Sequence, residues 1–393
     1  MKIDWADRVA TMEDPAVKMM LKITQRTDII SFAGGLPSAK TFPVDRLAAA
    51  YTAVLEEQGG AALQYSLAEG YPPLRELLAR RLGRSGIACK PENIVITSGS
   101  QQAIDFIGRL LLNPGDLIAV ENPAYLAALQ PFRSYQASFL PVPMDNEGMD
   151  VDALARQVKK VRPKFIYVNP TFQNPTGITL SLERRRRLGE LAASQEILLL
   201  EDNPYGELRF GGADIPSIKS LADSDWAMYT GTFSKVIAPG LRVGWFVAHP
   251  EIAAKVTAAK QLNDILTNSL TQRALHRLLT DNDLDAHIAT IIGQYRRQRD
   301  AMLAALAAYF PGCVSWTQPE GGMFIWVTLP SGLDARELLN KAIDEEKVAF
   351  VPGTPFHTDG GGHNTFRLSF ANTGEAEIAS GIARLGALLA RNV

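Results

Sequence analysis

The chain is predicted to be an α/β protein, a mainly parallel sheet flanked by helices and joined to a smaller α+β domain. Three observations carry this. Through the middle of the 393 residues, short and almost wholly apolar runs alternate with helical patterns, as expected of strands buried on both faces. After about residue 285 the texture changes, and a long amphipathic pattern leads into brief strand-like runs. The length also exceeds what one hydrophobic core sustains, so a large and a small domain are expected.

The expected strands are 93–97, 117–120, 138–142, 164–168, 197–201, 227–230 and 243–248, with helices at 100–112, 151–161 and 182–194 between them. That alternation is the doubly wound pattern, whose ligands sit at the carboxyl ends of the strands. A long helix near 286–309 precedes apolar runs at 322–329, 349–351 and 365–370. The division is therefore an N-terminal segment, 1–45, with one short helix near 15–24 and packed with the small domain; a large domain, 46–285; and a small domain, 286–393.

The hydrophobic fraction of 46% and net charge of −2 describe an ordinary globular protein with no global pull toward nucleic acid or an anionic membrane. The dense basic run 184–187 follows Ser181 and Glu183 at a helix start and is expected to be a solvated helix face. Cys89 and Cys313 lie far apart, and the five histidines form no metal-binding spacing, so neither a disulfide framework nor a metal site is expected. The N-terminus lacks signal-peptide form and no apolar run reaches membrane-spanning length, which points to the cytoplasm.

Four places carry candidate chemistry. Thr97–Gln102 (TSGSQQ) follows a strand and opens a helix, where backbone N–H groups and the helix dipole attract an anion; an ordinary βα turn reads the same way. Lys235, in GTFSK at 231–235, stands just past an apolar strand among hydroxyls, with Arg242 soon after. Burial beside a second cation lowers a lysine pKa and frees the amine for imine formation, although most lysines simply face water. Asp202 ends another apolar strand, in EDNPY at 201–205, as a turn cap or as the partner of a buried cation. The segment 169–177, NPTFQNPTG, is a turn whose prolines and glycine are structural, while Asn174 is free to donate a hydrogen bond.

Together these pieces resemble the class I/II aminotransferases of the fold-type I pyridoxal-phosphate superfamily, closest to the 2-aminoadipate and kynurenine aminotransferase branch. The resemblance spans nearly the whole chain through SFAGGLP at 31–37, LQYS at 63–66, TSGSQQ at 97–102, QNPTG at 173–177, GTFSK at 231–235 with PGLRVGW at 239–245, and TFRLS at 365–369. It implies a pyridoxal 5′-phosphate enzyme moving amino groups between amino acids and 2-oxo acids, plausibly 2-oxoglutarate, by a ping-pong mechanism. Lys235 would be the Schiff-base lysine, Asp202 the partner of the pyridinium nitrogen, and Asn174 and Tyr205 the donors to the phenolic oxygen. Tyr125 would stack on the ring, and Ser100, Gln101, Thr232, Ser234 and Arg242 would surround the phosphate. Tyr65 would reach the neighbouring subunit's phosphate, which makes a homodimer with shared active sites the functional unit. Arg367 would clamp the substrate α-carboxylate with Asn174 and the backbone near Gly35.

Two departures bear on this. Thr232 stands where relatives often carry serine, and the hydroxyl survives. Lys18 stands where the branch carries an arginine toward an acidic substrate side chain; it keeps the charge and loses the fork. Two rival readings are a lyase or cyclising enzyme on the same scaffold, which the cofactor-contact motifs do not separate, and a ligand-sensing domain of a DNA-binding regulator, for which the chain enters its aminotransferase-like segment too early to leave room for a helix-turn-helix module.

Overall fold

The computed structural model describes residues 3–12, 26, 28–222 and 225–392. An eight-stranded sheet forms the centre. In chain order its strands are β2 (Ile94–Thr97), β3 (Leu117–Asn122), β4 (Ser138–Asp145), β5 (Gly148–Met149), β6 (Phe165–Val168), β7 (Leu198–Asp202), β8 (Ala227–Thr232) and β9 (Gly244–Val247). β1 (Ile30–Ser31) precedes them and lies elsewhere. The spatial order is β2-β9-β8-β7-β6-β3-β4-β5.

The five central strands, β4, β3, β6, β7 and β8, run parallel, and β2, β6, β8 and β9 are buried at every position. β9 runs against both its neighbours, β2 and β8, and the short edge strand β5 runs against β4. For β9 the physical reason lies in its connection: residues 233–243, with one tight turn at Pro239–Leu241, are too few for the crossover helix that a parallel return needs. All seven strands expected in this region form.

Helices cover both faces. Ser100–Leu111, Leu126–Ser134 and Pro250–Gln261 bury Ile104, Phe132 and Val256 against one side; Val151–Val158 and Leu182–Ser194 bury Leu154 and Leu188 against the other. Side chains of Asp150 and Ser181 cap the last two by accepting from Ala153 N and Arg184 N.

A second, antiparallel sheet has the order β10 (Ser315–Trp316), β11 (Phe324–Thr328), β14 (Thr365–Ser369), β13 (Val351–Pro352). The long helix Leu284–Tyr309 packs with the terminal helix Glu375–Asn392. β1 pairs in parallel with β12 (Val348–Ala349), so the run expected at 349–351 divides between two sheets.

The basic run 184–187 departs from expectation. Arg184 pairs with Asp145 and Arg187 with Asp152, but Arg185 is wholly buried. Its guanidinium donates to the carbonyls of Leu180, Pro216 and Pro170 and to Thr171 Oγ1. Arg185 shares the inward helix face of Leu188, Gly189 and Ala192, and a ring of acceptors makes that position suit arginine. Among the described residues no helix is long and apolar enough to cross a membrane and no metal-binding cluster occurs.

Candidate active site

The carboxyl ends of β3, β6, β7 and β8 lie side by side, with Asp202 in register beside Thr230. Chain leaving these four ends delivers Tyr125, Asn174, Tyr205 and Lys235 to one crevice. The small sheet closes it from the other side with Phe324 and Arg367.

Asp202 is fully buried. Its Oδ2 accepts from Tyr167 OH at 2.8 Å, while Oδ1 has no partner. Burial pushes its carboxyl up to about 7, opposed by the Tyr167 hydroxyl and by Lys235. Lys235 is half-buried; Nζ donates to Gly35 O at 3.1 Å and lies 5.9 Å from the centre of the Tyr205 ring. Desolvation, then the charges of Arg367 and Arg242, push it down to about 8.

Arg367 is buried at 6% exposure. Its fork donates to Asn174 Oδ1 and Ala33 O, both at 2.7 Å, and its guanidinium carbon sits 4.3 Å from the Phe324 ring centre. Asn174 Nδ2 donates to Tyr205 OH at 3.4 Å. Tyr125 lies half-buried at the head of Leu126–Ser134, its hydroxyl pushed up to about 12 by burial.

The turn at 98–100 caps the N-terminus of Ser100–Leu111 with Gly99 at φ +79°. A Cβ there would stand 2.6 Å from Arg242 Nη2, so the close approach needs glycine. Arg242, itself left-handed at φ +53°, donates to Ser98 O at 2.9 Å. Thr232 Oγ1 and Ser234 Oγ are 2.8 Å apart where the chain leaves β8. The Gln101 side chain is turned away, donating to Ala127 O at 2.5 Å, so toward this turn the residue has only its backbone to offer. Tyr65 is 76% exposed on the surface. Lys18 lies outside the described residues.

Two residues of the crevice escaped the sequence reading. Tyr167 is the one polar side chain in the apolar strand FIYV, and that single hydroxyl was the available signal. Glu121, at 1% exposure, accepts from Asn169 N at 2.9 Å and Gln173 Nε2 at 3.3 Å; burial pushes it up to about 8. It ties the loop bearing Asn174 to the strand that leads to Tyr125.

The residues present fit pyridoxal phosphate. A buried carboxylate oxygen without a donor suits a ring N–H⁺, a lysine with a lowered pKa suits an aldehyde, and a glycine-capped helix N-terminus beside two hydroxyls and an arginine suits a phosphate. Lysine past the strand, carboxylate in the neighbouring strand and this sheet order together define a fold-type I pyridoxal-phosphate transferase.

The family model for aminotransferase class I and II matches residues 27–385. The 2-aminoadipate transaminase of Thermus thermophilus is 44% identical over 376 residues, covering 95% of this chain and 93% of that one. Aromatic-amino-acid aminotransferase 1 of Thermococcus litoralis is 43% identical over 387 residues, covering 97% and 93%. The solved α-aminoadipate aminotransferase of Thermus thermophilus, complexed with N-(5′-phosphopyridoxyl)-L-leucine, superposes with a TM-score of 0.92 at 42% identity, covering 98% of this chain and 97% of that one. The chain belongs to the class I and II aminotransferases: it is a pyridoxal-phosphate-dependent enzyme that transfers amino groups between amino acids and 2-oxo acids.

Proposed function

We propose that the chain transfers the amino group of an aromatic or 2-aminodicarboxylic acid to 2-oxoglutarate, working as a cytoplasmic homodimer with shared sites. The observation that carries the site assignment is the convergence of Lys235 Nζ, the unpartnered Asp202 Oδ1 and the forked Arg367 on one crevice. The two donor classes come from the relatives' own specificities.

Bound pyridoxal phosphate supplies an electron sink conjugated to the substrate α-carbon. Asp202 would hold a proton on the ring nitrogen through Oδ1. Lys235, neutral above about pH 8, would attach the cofactor and, once released, accept the α-proton at Nζ. Asn174 and Tyr205 would donate to the phenolic oxygen, Tyr125 would stack on the ring, and Ser100, the Gln101 backbone, Thr232, Ser234 and Arg242 would receive the phosphate. Arg367 would exchange the carbonyl of Ala33 for the substrate carboxylate, keeping the planar fork. Gly35 holds Lys235 through its carbonyl and would flank the substrate. Lys18 would meet an acidic side chain.

Tyr65, exposed two residues past the short helix Gly60–Leu63, would reach the partner's phosphate. We place the domain division at 46–285 and 286–393, with 1–45 allied to the small domain; the β1–β12 pairing supports this. The test is a panel of amino acids with 2-oxoglutarate. Parallel initial-velocity lines for aromatic or 2-aminodicarboxylic donors are expected; intersecting lines, or release of ammonia without an acceptor, would overturn the proposal.

A further inference from the structure

Beside the phosphate-receiving turn lies a partly buried charged cluster that none of the assigned roles uses. Lys260, at the end of helix Pro250–Gln261, is wholly buried. Its three protons have three acceptors: Gln102 Oε1 at 3.0 Å and both oxygens of Asp264 at 2.9 Å. Because lysine only donates, this fixes the Gln102 amide with its oxygen toward Nζ. The Gln102 nitrogen then donates to Asp264 Oδ2 at 2.7 Å, and its oxygen accepts the backbone N–H of Ser98 at 2.8 Å. Ser98 Oγ donates to Asp264 Oδ2 at 3.2 Å.

Ser98 is thereby held from two sides, through both of its flanking peptide groups. Its N–H enters the Lys260 cluster, while its carbonyl accepts from Arg242. Next in the chain come Gly99, in a left-handed conformation, and Ser100, whose N–H opens the helix. A shift of the Ser98 peptide would rotate the N–H groups aimed at an anion, because the glycine between has no side chain to resist it. Sealing a lysine from water is a costly way to fill space, even with Asp264 partly open to solvent. It is a suitable way to hold one peptide in one orientation, since every donor and acceptor in the set is matched.

We propose that Lys260 and Asp264, acting through Gln102, are positioning residues that hold the turn at 98–100 in register for the cofactor phosphate. This rests on the assignment of that turn and Arg242 to the phosphate. It predicts a defect specific to the phosphate and not to the rest of the cofactor.

The test compares the affinity of the full chain, freed of cofactor, for pyridoxal phosphate and for pyridoxal, which lacks the phosphate. In Lys260→Met the affinity for pyridoxal phosphate is expected to fall about tenfold, the scale of one lost charged contact, with pyridoxal unchanged within about twofold. Asp264→Asn, nearly isosteric, is read in the same way should the methionine variant fail to fold. The double variant is expected to be no weaker than Lys260→Met, since the three side chains act as one unit. A parallel fall for both compounds, or no fall for either, overturns the proposal. Arg242→Ala tests the underlying assignment separately: if it leaves the preference for the phosphorylated compound intact, the phosphate does not bind at this turn.

Discussion

Replacing Tyr167 with phenylalanine removes one oxygen from the floor of the site. The ring stays, and with it the edge contact to Phe132 at 5.8 Å. What goes is the 2.8 Å hydrogen bond to Asp202 Oδ2, leaving that carboxylate with no donor on either oxygen. A hydrogen bond to a charged acceptor contributes about 1.5–3 kcal/mol, or roughly one to two units at about 1.4 kcal/mol per unit. Asp202, already at about 7, would move to roughly 8 or 9. The ionised fraction at pH 7 would drop from about one half to between a tenth and a hundredth. Cofactor binding to the cofactor-free chain at pH 7 should therefore weaken about 5- to 50-fold relative to the parent, and the two proteins should converge above about pH 9. The assay is a titration of both proteins with pyridoxal phosphate from pH 6 to 9.5. Their ratio removes the Lys235 contribution common to both. A ratio that stays constant with pH would refute the reasoning and leave Tyr167 a packing role only.

Three further outcomes follow from the same geometry. The folded pKa of Asp202 lies above its unfolded value, so the penalty for its burial is absent below about pH 4, grows through the interval and is complete above about pH 7. Asp202→Asn should then raise the melting temperature of the cofactor-free chain more at pH 8 than at pH 5, the extra gain being about 3 kcal/mol in stability, while abolishing turnover; an equal gain at both pH values would contradict this. Arg367→Lys keeps the charge but loses the fork held by Asn174 and Ala33, so KM for both amino acid and 2-oxo acid should rise about 30-fold with cofactor affinity unchanged, and a loss of cofactor affinity instead would move Arg367 away from substrate. Arg185→Leu strips three carbonyls and Thr171 of their donor and removes the opposite charge that acts most strongly on the buried Glu201, so the chain should lose about 3–5 kcal/mol in denaturant unfolding; a loss under about 1 kcal/mol would mean the acceptors rehydrate.

The parts legible in the sequence share one property: their signal is local. An apolar run of four to six residues announces β2, β6 or β8, and glycine, hydroxyls and lysine spaced along the next few residues announce a turn with chemistry. Strand direction was not so encoded. β9 reads like its parallel neighbours, and only the length of the segment before it shows why it must run the other way. Burial of charge was least legible. Arg185, Lys260 and Glu121 sit in helices or strand ends where a charged residue ordinarily faces water, and each is buried where at least one partner arrives from a segment 15 to 158 residues away. No periodicity within a helix reports such partners.

That distribution has a physical consequence for the site itself. Asp202, Glu121, Lys235 and Arg367 crowd ionisable groups into one desolvated crevice, and burial pushes each toward its neutral form. A protein selected for stability alone would replace such groups with apolar ones. The cofactor changes the balance: its ring nitrogen would satisfy Asp202 Oδ1, its aldehyde carbon would take Lys235, and the substrate carboxylate would meet Arg367. Glu121 has no such counterpart. Its raised pKa leaves it largely neutral at pH 7, where it can hold the loop bearing Asn174 by hydrogen bonds without adding a second negative charge beside Asp202. The two carboxylates thus differ in what faces them: Asp202 Oδ1 is buried without a partner in the crevice, while Glu121 Oε2 takes two donors from the loop that carries Asn174.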